Sequence, residues 1–181
     1  MTMTVDEARA TMKTWATPEA IDLAVQHMAT QIDLWNRSRE ELCIVGVLDG
    51  SFMLVSDLVR RLRSPLSVEF VGLTSYPGMH PGDTIEWTKR LARPYRLSGK
   101  RVLIVDDICE SGRTLLTVKT QVERAGAREV RFCTLLHKVG CGETTPHFVG
   151  FRCHPEEFMV GYGLDFDGRF RELPSLASIP R

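Results

Sequence analysis

Apolar residues along this chain recur at two periods, and the alternation between them lays out the fold. Ile21, Val25, Met28, Ile32 and Trp35 fall three or four apart, one face of an α-helix. Thr17 followed by Pro18 supplies an N-cap and a proline at the first helical position, so a helix is predicted from Pro18 to about residue 36. "LCIVGVL" (42–48) is an unbroken apolar run, the mark of a strand buried on both faces. Asp49-Gly50-Ser51 turns it into "FMLVSDLVRRL", where the helical period returns. "LSVEFVGLTSY" (66–76) alternates as a strand, and "PGMHPGD" (77–83) reads as a mobile loop. "TIEWTKRLARPYRLSGK" follows as an edge strand and a turn. "RVLIVDDI" is the strongest buried-strand signal, and a helix from Gly112 to Ala125 is closed by Gly126. "EVRFCTLLHK", "HFVGFRC" and "EFMVGYGLDF" are the later strands.

Strand and helix alternating through short joints predict an α/β fold: a mostly parallel twisted sheet flanked by helices on both faces. No repeat, linker or low-complexity tract divides it, and 181 residues suit one domain. Lysine plus arginine equals aspartate plus glutamate at 23 each, so no basic field recruits nucleic acid or a membrane surface. No apolar run approaches the roughly 18 residues of a membrane span, and the N-terminus lacks the apolar core of a signal peptide. The cytoplasm is the expected location. Cys43, Cys109, Cys133, Cys141 and Cys153 form no C-x-x-C pair and are expected to be reduced, buried thiols. The spacing of Cys141, His147, Cys153 and His154 matches no common structural zinc pattern.

Chemistry gathers at the strand ends, where ligands bind in such sheets. Leu48-Asp49-Gly50-Ser51, Asp106-Asp107 and His137-Lys138 each close a strand. Glu110-Ser111-Gly112-Arg113-Thr114 joins the central strand to its helix, and successive amides in such a joint cradle phosphate. Asp106 and Asp107 repel phosphate but suit sugar hydroxyls or a hydrated magnesium ion. A ribose carrying a 5′-phosphate and a metal-bound diphosphate uses all these parts at once. An acidic helix N-cap accounts for one acid and not for two more at the strand's end. Neither G-x-x-x-x-G-K-[ST] nor G-x-G-x-x-G occurs.

"VLIVDDICESGRTL" resembles the phosphoribosyl-diphosphate motif of the type I phosphoribosyltransferases. The remainder resembles their hypoxanthine-guanine branch: "VGVLDGSFMLVSDLVRRL" its first diphosphate loop and helix, "LTSYPG" the start of its flexible loop, and residues 147–176 its purine-binding segment. The resemblance implies that fold, with a core over about 38–140, a small hood from about 1–37 and 141–181, and a lid over about 75–95. It implies salvage of hypoxanthine or guanine, or of xanthine, with 5-phosphoribosyl 1-diphosphate, using Mg2+, in a homodimer or homotetramer. Residue by residue, Asp106 and Asp107 would hold the ribose hydroxyls and, with Asp165, magnesium. Glu110, Ser111, Gly112, Arg113 and Thr114 would cradle the 5′-phosphate. Leu48, Asp49, Gly50 and Arg171 would meet the diphosphate, with a cis peptide at Leu48-Asp49. Lys138 would bind the 6-oxygen of the purine, Phe158 would stack on it, and Met159 and Asp165 would meet its edge. Ser75 and Tyr76 would lie on the lid, and Trp35 or Phe52 at an interface.

Three positions depart from the branch's pattern. Glu110 stands where aspartate is usual, near the ring nitrogen that exchanges a proton, so the catalytic set is Glu110 with Asp106 and Asp107. Asp49 replaces a lysine. Val139-Gly140-Cys141 follows Lys138 where relatives carry an arginine. These changes leave two alternatives: a nucleotide-binding regulator on the same fold, or a transferase for another oxo-heterocyclic base. The basic stretch Lys89, Arg90, Arg93, Arg96 and Lys100 reads as a solvated edge or lid flank.

Overall fold

The structure is a computed structural model that describes residues 3–75, 85–142 and 144–180. In chain order its elements are α1 (Val5–Thr11), β1 (Lys13–Ala16), α2 (Pro18–Trp35), β2 (Leu42–Leu48), α3 (Phe52–Val59), β3 (Leu66–Ser75) and β4 (Ile85–Lys89). A 3-10 turn (Pro94–Leu97) leads to β5 (Arg101–Cys109), α4 (Arg113–Arg124), β6 (Glu129–Lys138), β7 (Phe148–Cys153), β8 (Phe158–Val160) and β9 (Leu176–Ile179).

Six strands form the main sheet in the order β4-β3-β2-β5-β6-β7, parallel except for the antiparallel edge pair β3–β4. From β2 the chain winds outward to β3 and β4. After β5 it winds the other way through β6 to β7. The reversal therefore lies between β2 and β5, and a ligand crevice opens at the carboxyl ends of the two strands flanking such a switch point. α2 and α3 cover one face over a core of Ile32, Ile44, Leu58 and Leu103; α4 covers the other over Val45, Val102, Val118 and Val122.

Thr17 caps α2 as its sequence predicts, accepting a hydrogen bond from the Ala20 amide at 3.3 Å. The helix over "FMLVSDLVRRL" stops at Val59, earlier than its periodicity extends. The strand predicted over "EFMVGYGLDF" is cut to Phe158–Val160, because Gly161, Tyr162 and Gly163 all take positive φ and break the extended chain. That short strand joins β9 and β1 in a second, antiparallel sheet ordered β1-β9-β8. β1, β9 and α1 had no clear sequence signal: the strands are four residues long and the helix seven, too short for a period to show. α2 and β7, which fall within the segments expected to form the hood, pack with the six-stranded sheet.

One expectation changes: four cysteines are buried and free, but Cys141 is exposed. Trp35 is part-buried against its own chain, donating to Glu129 at 2.7 Å and lying beside Phe148 and under Arg131. Phe52 is 37% exposed. Among the described residues no helix is long and apolar enough to cross a membrane.

Candidate active site

A cavity of about 570 Å³ opens at the carboxyl ends of β2 and β5, where the winding reverses. β2 and its turn contribute Val47, Leu48 and Gly50; Leu73 and Ile85 form an apolar side; the run from Asp106 to Leu115 forms the floor; Asp165 and Arg171 reach in from the C-terminal segment.

Asp106 is buried and Asp107 lies part-buried beside it. Burial pushes the Asp106 carboxyl well above the ordinary carboxylate range, and the neighbouring Asp107 charge pushes it further. Asp107 is also raised by burial, and hydrogen bonds together with the positive charge of Arg171 restrain the rise. Each acid accepts from the next amide: Asp106 Oδ1 from Asp107 N–H at 3.0 Å, Asp107 Oδ1 from Ile108 N–H at 2.7 Å. Two like acids held together with no ion pair to another described residue are poised for a cation or for hydroxyl donors.

The joint that follows is open toward the cavity. Gly112 is the N-cap of α4 at φ 80°, a left-handed conformation natural to glycine. The amides of Ser111, Gly112 and Thr114 make no hydrogen bond to another described residue, and all three residues line the cavity with Arg113. Unsatisfied amides at the start of a helix form a ready anion cradle. The loop after β6 supports it: a side chain at Gly142 would strike the Ser111 carbonyl, and one at Gly112 would strike Thr144. Nothing in the sequence pattern distinguished Gly142 and Thr144 as supports; only their contacts across the loop reveal them.

Gly50 packs on the Asp107 carboxylate so closely that any side chain there would overlap it. Gly163 meets the Gly50 carbonyl in the same way. Arg171 donates to the Gly163 carbonyl at 2.6 Å and pairs with Asp165 at 2.9 Å, while the other Asp165 oxygen accepts from Gly168 N–H at 2.8 Å. The C-terminal segment is thus locked to the β2 turn, with one guanidinium facing the cavity. The Leu48-Asp49 peptide is cis. Asp49 is exposed and does not line the cavity.

Lys138 is buried at the end of β6, its side chain 3% exposed, and its ammonium contacts the half-exposed carboxylate of Glu110. This pair joins the β6 end to the cavity rim, since Glu110 lines the cavity and Lys138 does not. Neither Phe158 nor Met159 lines the cavity: Phe158 is edge-on to Phe166 at 5.8 Å, and Met159 is buried in the α2-side core. Ser75 ends β3, and Tyr76 lies outside the described residues. Val139, the residue after Lys138, is half-exposed and apolar. Within the basic stretch, Lys89 and Arg90 lie over Phe70 and Trp87, and Lys100 pairs with Glu41.

An α/β sheet with paired acids and an open amide turn at its switch point defines a sugar-phosphate-binding class of transferase fold. The phosphoribosyl transferase domain family matches residues 16–167, and the chain belongs to that family. It is 38% identical over 167 residues to the hypoxanthine phosphoribosyltransferase of Salmonella typhimurium, covering 90% of this chain and 92% of that one. Identity to the hypoxanthine-guanine phosphoribosyltransferase of Mycobacterium tuberculosis is 32%, covering 90% and 83%. Among solved structures, a hypoxanthine-guanine phosphoribosyltransferase from Bacillus anthracis superposes with TM-score 0.82 at 32% identity, covering 92% and 96%. The hypoxanthine phosphoribosyltransferase of Trypanosoma cruzi gives 0.83 at 25% identity, covering 93% and 96%.

Proposed function

We propose that this chain is a purine salvage transferase: it joins hypoxanthine or guanine to the phosphoribosyl group of 5-phosphoribosyl 1-diphosphate, releasing a nucleoside 5′-monophosphate and diphosphate. The observation that carries this reading is the acid pair Asp106-Asp107 beside the open amides of Ser111, Gly112 and Thr114, in one cavity at the switch point. The names of the relatives point the same way.

In this reading the amides and hydroxyls of Ser111 and Thr114 hold the 5′-phosphate, and the acids take the ribose hydroxyls. A purine ring nitrogen attacks the anomeric carbon as the bond to diphosphate breaks. Glu110 exchanges the proton of the base, and Lys138 donates to its 6-oxygen; an amino group there would set donor against donor. Phe158 and the Met159 backbone would contact the base only if it extends beyond the cavity toward β8, and that reach is part of the proposal. Leu73 and Ile85 keep one wall dry, limiting attack by water. Arg171 meets the charge that gathers on the leaving group.

Magnesium fits the residues present. Among the described residues no three His, Cys, Asp or Glu side chains converge as a metal cage, and Mg2+ is commonly held by one or two carboxylates plus substrate phosphates and water. Asp106 and Asp107 would hold it, and Asp165, whose oxygens already face Gly168 and Arg171, would act from further out. When bound, the ion would neutralise diphosphate charge as it leaves. We further propose a cytoplasmic enzyme that works as a homodimer or homotetramer; light scattering of the purified chain reads the latter directly.

Incubating the protein with 5-phosphoribosyl 1-diphosphate, Mg2+ and hypoxanthine, guanine or xanthine in turn tests the activity. Diphosphate release is expected with at least one of the first two. Silence with all three bases, alongside tight nucleotide binding, would leave a regulator on the same fold; release with xanthine alone would move the specificity.

A further inference from the structure

A second cavity, of about 530 Å³, lies between α2 and the end of α3. Arg37 and Arg39 stand just before β2, and Arg61 and Arg63 just before β3. The cavity therefore sits at the amino ends of the strands whose carboxyl ends hold the substrate cavity, roughly 20 Å away at 3.3 Å per strand residue. These four arginines share it with two acids, Asp22 and Asp33, in a chain of zero net charge.

Both acids are engaged. Asp22 pairs with Arg61, and Asp33 accepts from the backbone N–H of Arg63 at 3.2 Å. Arg61 also donates to the Asp57 carbonyl at 2.8 Å, closing the end of α3. The guanidinium groups of Arg37, Arg39 and Arg63 have no hydrogen bond or ion pair with another described residue. Among the four, Arg61 caps a terminal carbonyl of α3, and the exposed guanidinium groups of Arg37, Arg39 and Arg63 are fixed by no such contact.

Arg39 lies in the turn that ends α2: its φ is 51°, and its N–H donates to the Asn36 carbonyl at 2.8 Å. The turn so formed sets Arg37 and Arg39 on the wall of the same cavity.

We propose that this cavity is a second anion site, taking a chain of adjacent phosphates: free polyphosphate or the tail of a nucleoside triphosphate. Three unengaged planar forks exceed what one phosphate needs and suit bidentate contacts along several. Gln26 and Thr30 add neutral donors, and the volume lies in the range of small-molecule sites.

The test titrates inorganic tripolyphosphate, and separately ATP, into protein whose substrate cavity is filled with inosine monophosphate. Binding of one equivalent is expected, weakened about tenfold or more in Arg37→Gln/Arg63→Gln, as loss of two charged contacts requires, with transferase activity unchanged. On the unaltered protein, tripolyphosphate should slow phenylglyoxal modification of Arg37, Arg39 and Arg63, mapped by mass spectrometry. Equal affinity for the two probes assigns recognition to the phosphate chain; tighter ATP binding adds the nucleoside. Absence of binding, unchanged arginine reactivity, or cross-links placing these arginines against a second copy of the chain would overturn the proposal.

Discussion

Glu110 has one methylene more than aspartate, and in this fold the longer arm reaches the buried ammonium of Lys138. Removing one partner of a buried charge pair leaves the other without compensation, although here Glu110 itself is half-exposed and water softens the cost. Glu110→Asp is therefore expected to lower stability by about 1 kcal/mol in urea unfolding. Turnover rises with it only if the long arm hinders the base; a loss of about a hundredfold would mean that the site is built around glutamate. Lys138→Met removes the donor to the 6-oxygen and should raise KM for hypoxanthine about 10- to 100-fold, with a smaller change in kcat. An unchanged preference for oxopurines in that variant would take Lys138 out of recognition. The sequence marked both residues by motif, yet it could not show that they touch, because 28 positions separate them. Asp49 teaches the converse: the sequence set it among the diphosphate contacts, and in the fold it is exposed and does not line the cavity.

At the scale of elements, the joint between β5 and α4 concentrates the function. Gly112→Ala must hold a side chain at φ 80° and push it into Thr144, so a loss of about 2 kcal/mol is expected, together with weaker binding of ribose 5-phosphate by calorimetry. A variant that bound ribose 5-phosphate as tightly as before would show that the cradle lies elsewhere. The six-stranded layer was legible because its central strands carry strong apolar runs, unbroken in β2: β2 and β6 begin and end where the sequence puts them. The C-terminal segment was not, because its shape is set by tertiary contact. Gly161 packs on the Ser175 carbonyl and Gly163 on the Gly50 carbonyl, and these approaches turn an apolar, strand-like run into a chain of turns. The same cause hid that Phe158 does not line the cavity: order along the chain does not say which side chains of a short, broken strand reach it.

For the whole molecule, the site trades stability for readiness. Both carboxyls of the acid pair hold their protons to higher pH folded than unfolded. The stability this gives is present in full below the ordinary carboxylate pKa and is lost as pH climbs through the raised folded values, where the folded chain must ionise acids that burial disfavours. Asp106→Asn removes the larger burden, so it should unfold at higher temperature than the unaltered protein, by about 2–4 °C for each kcal/mol recovered. The gap should widen as pH rises from about 4 toward 8, since only the unaltered chain then carries the charge. Activity should fall at the same time, the usual trade at such sites. A ligand that satisfies the pair must act in the opposite sense on the unaltered chain. Mg2+ with 5-phosphoribosyl 1-diphosphate at about a hundred times its Kd adds about 2.7 kcal/mol, or roughly 5–11 °C. That gain should be largest at high pH, where the acids are ionised, and much smaller in Asp106→Asn. Thermal scans of both proteins, with and without the pair of ligands, measure all four cases; equal ligand shifts in the two proteins would separate Asp106 from the substrate site.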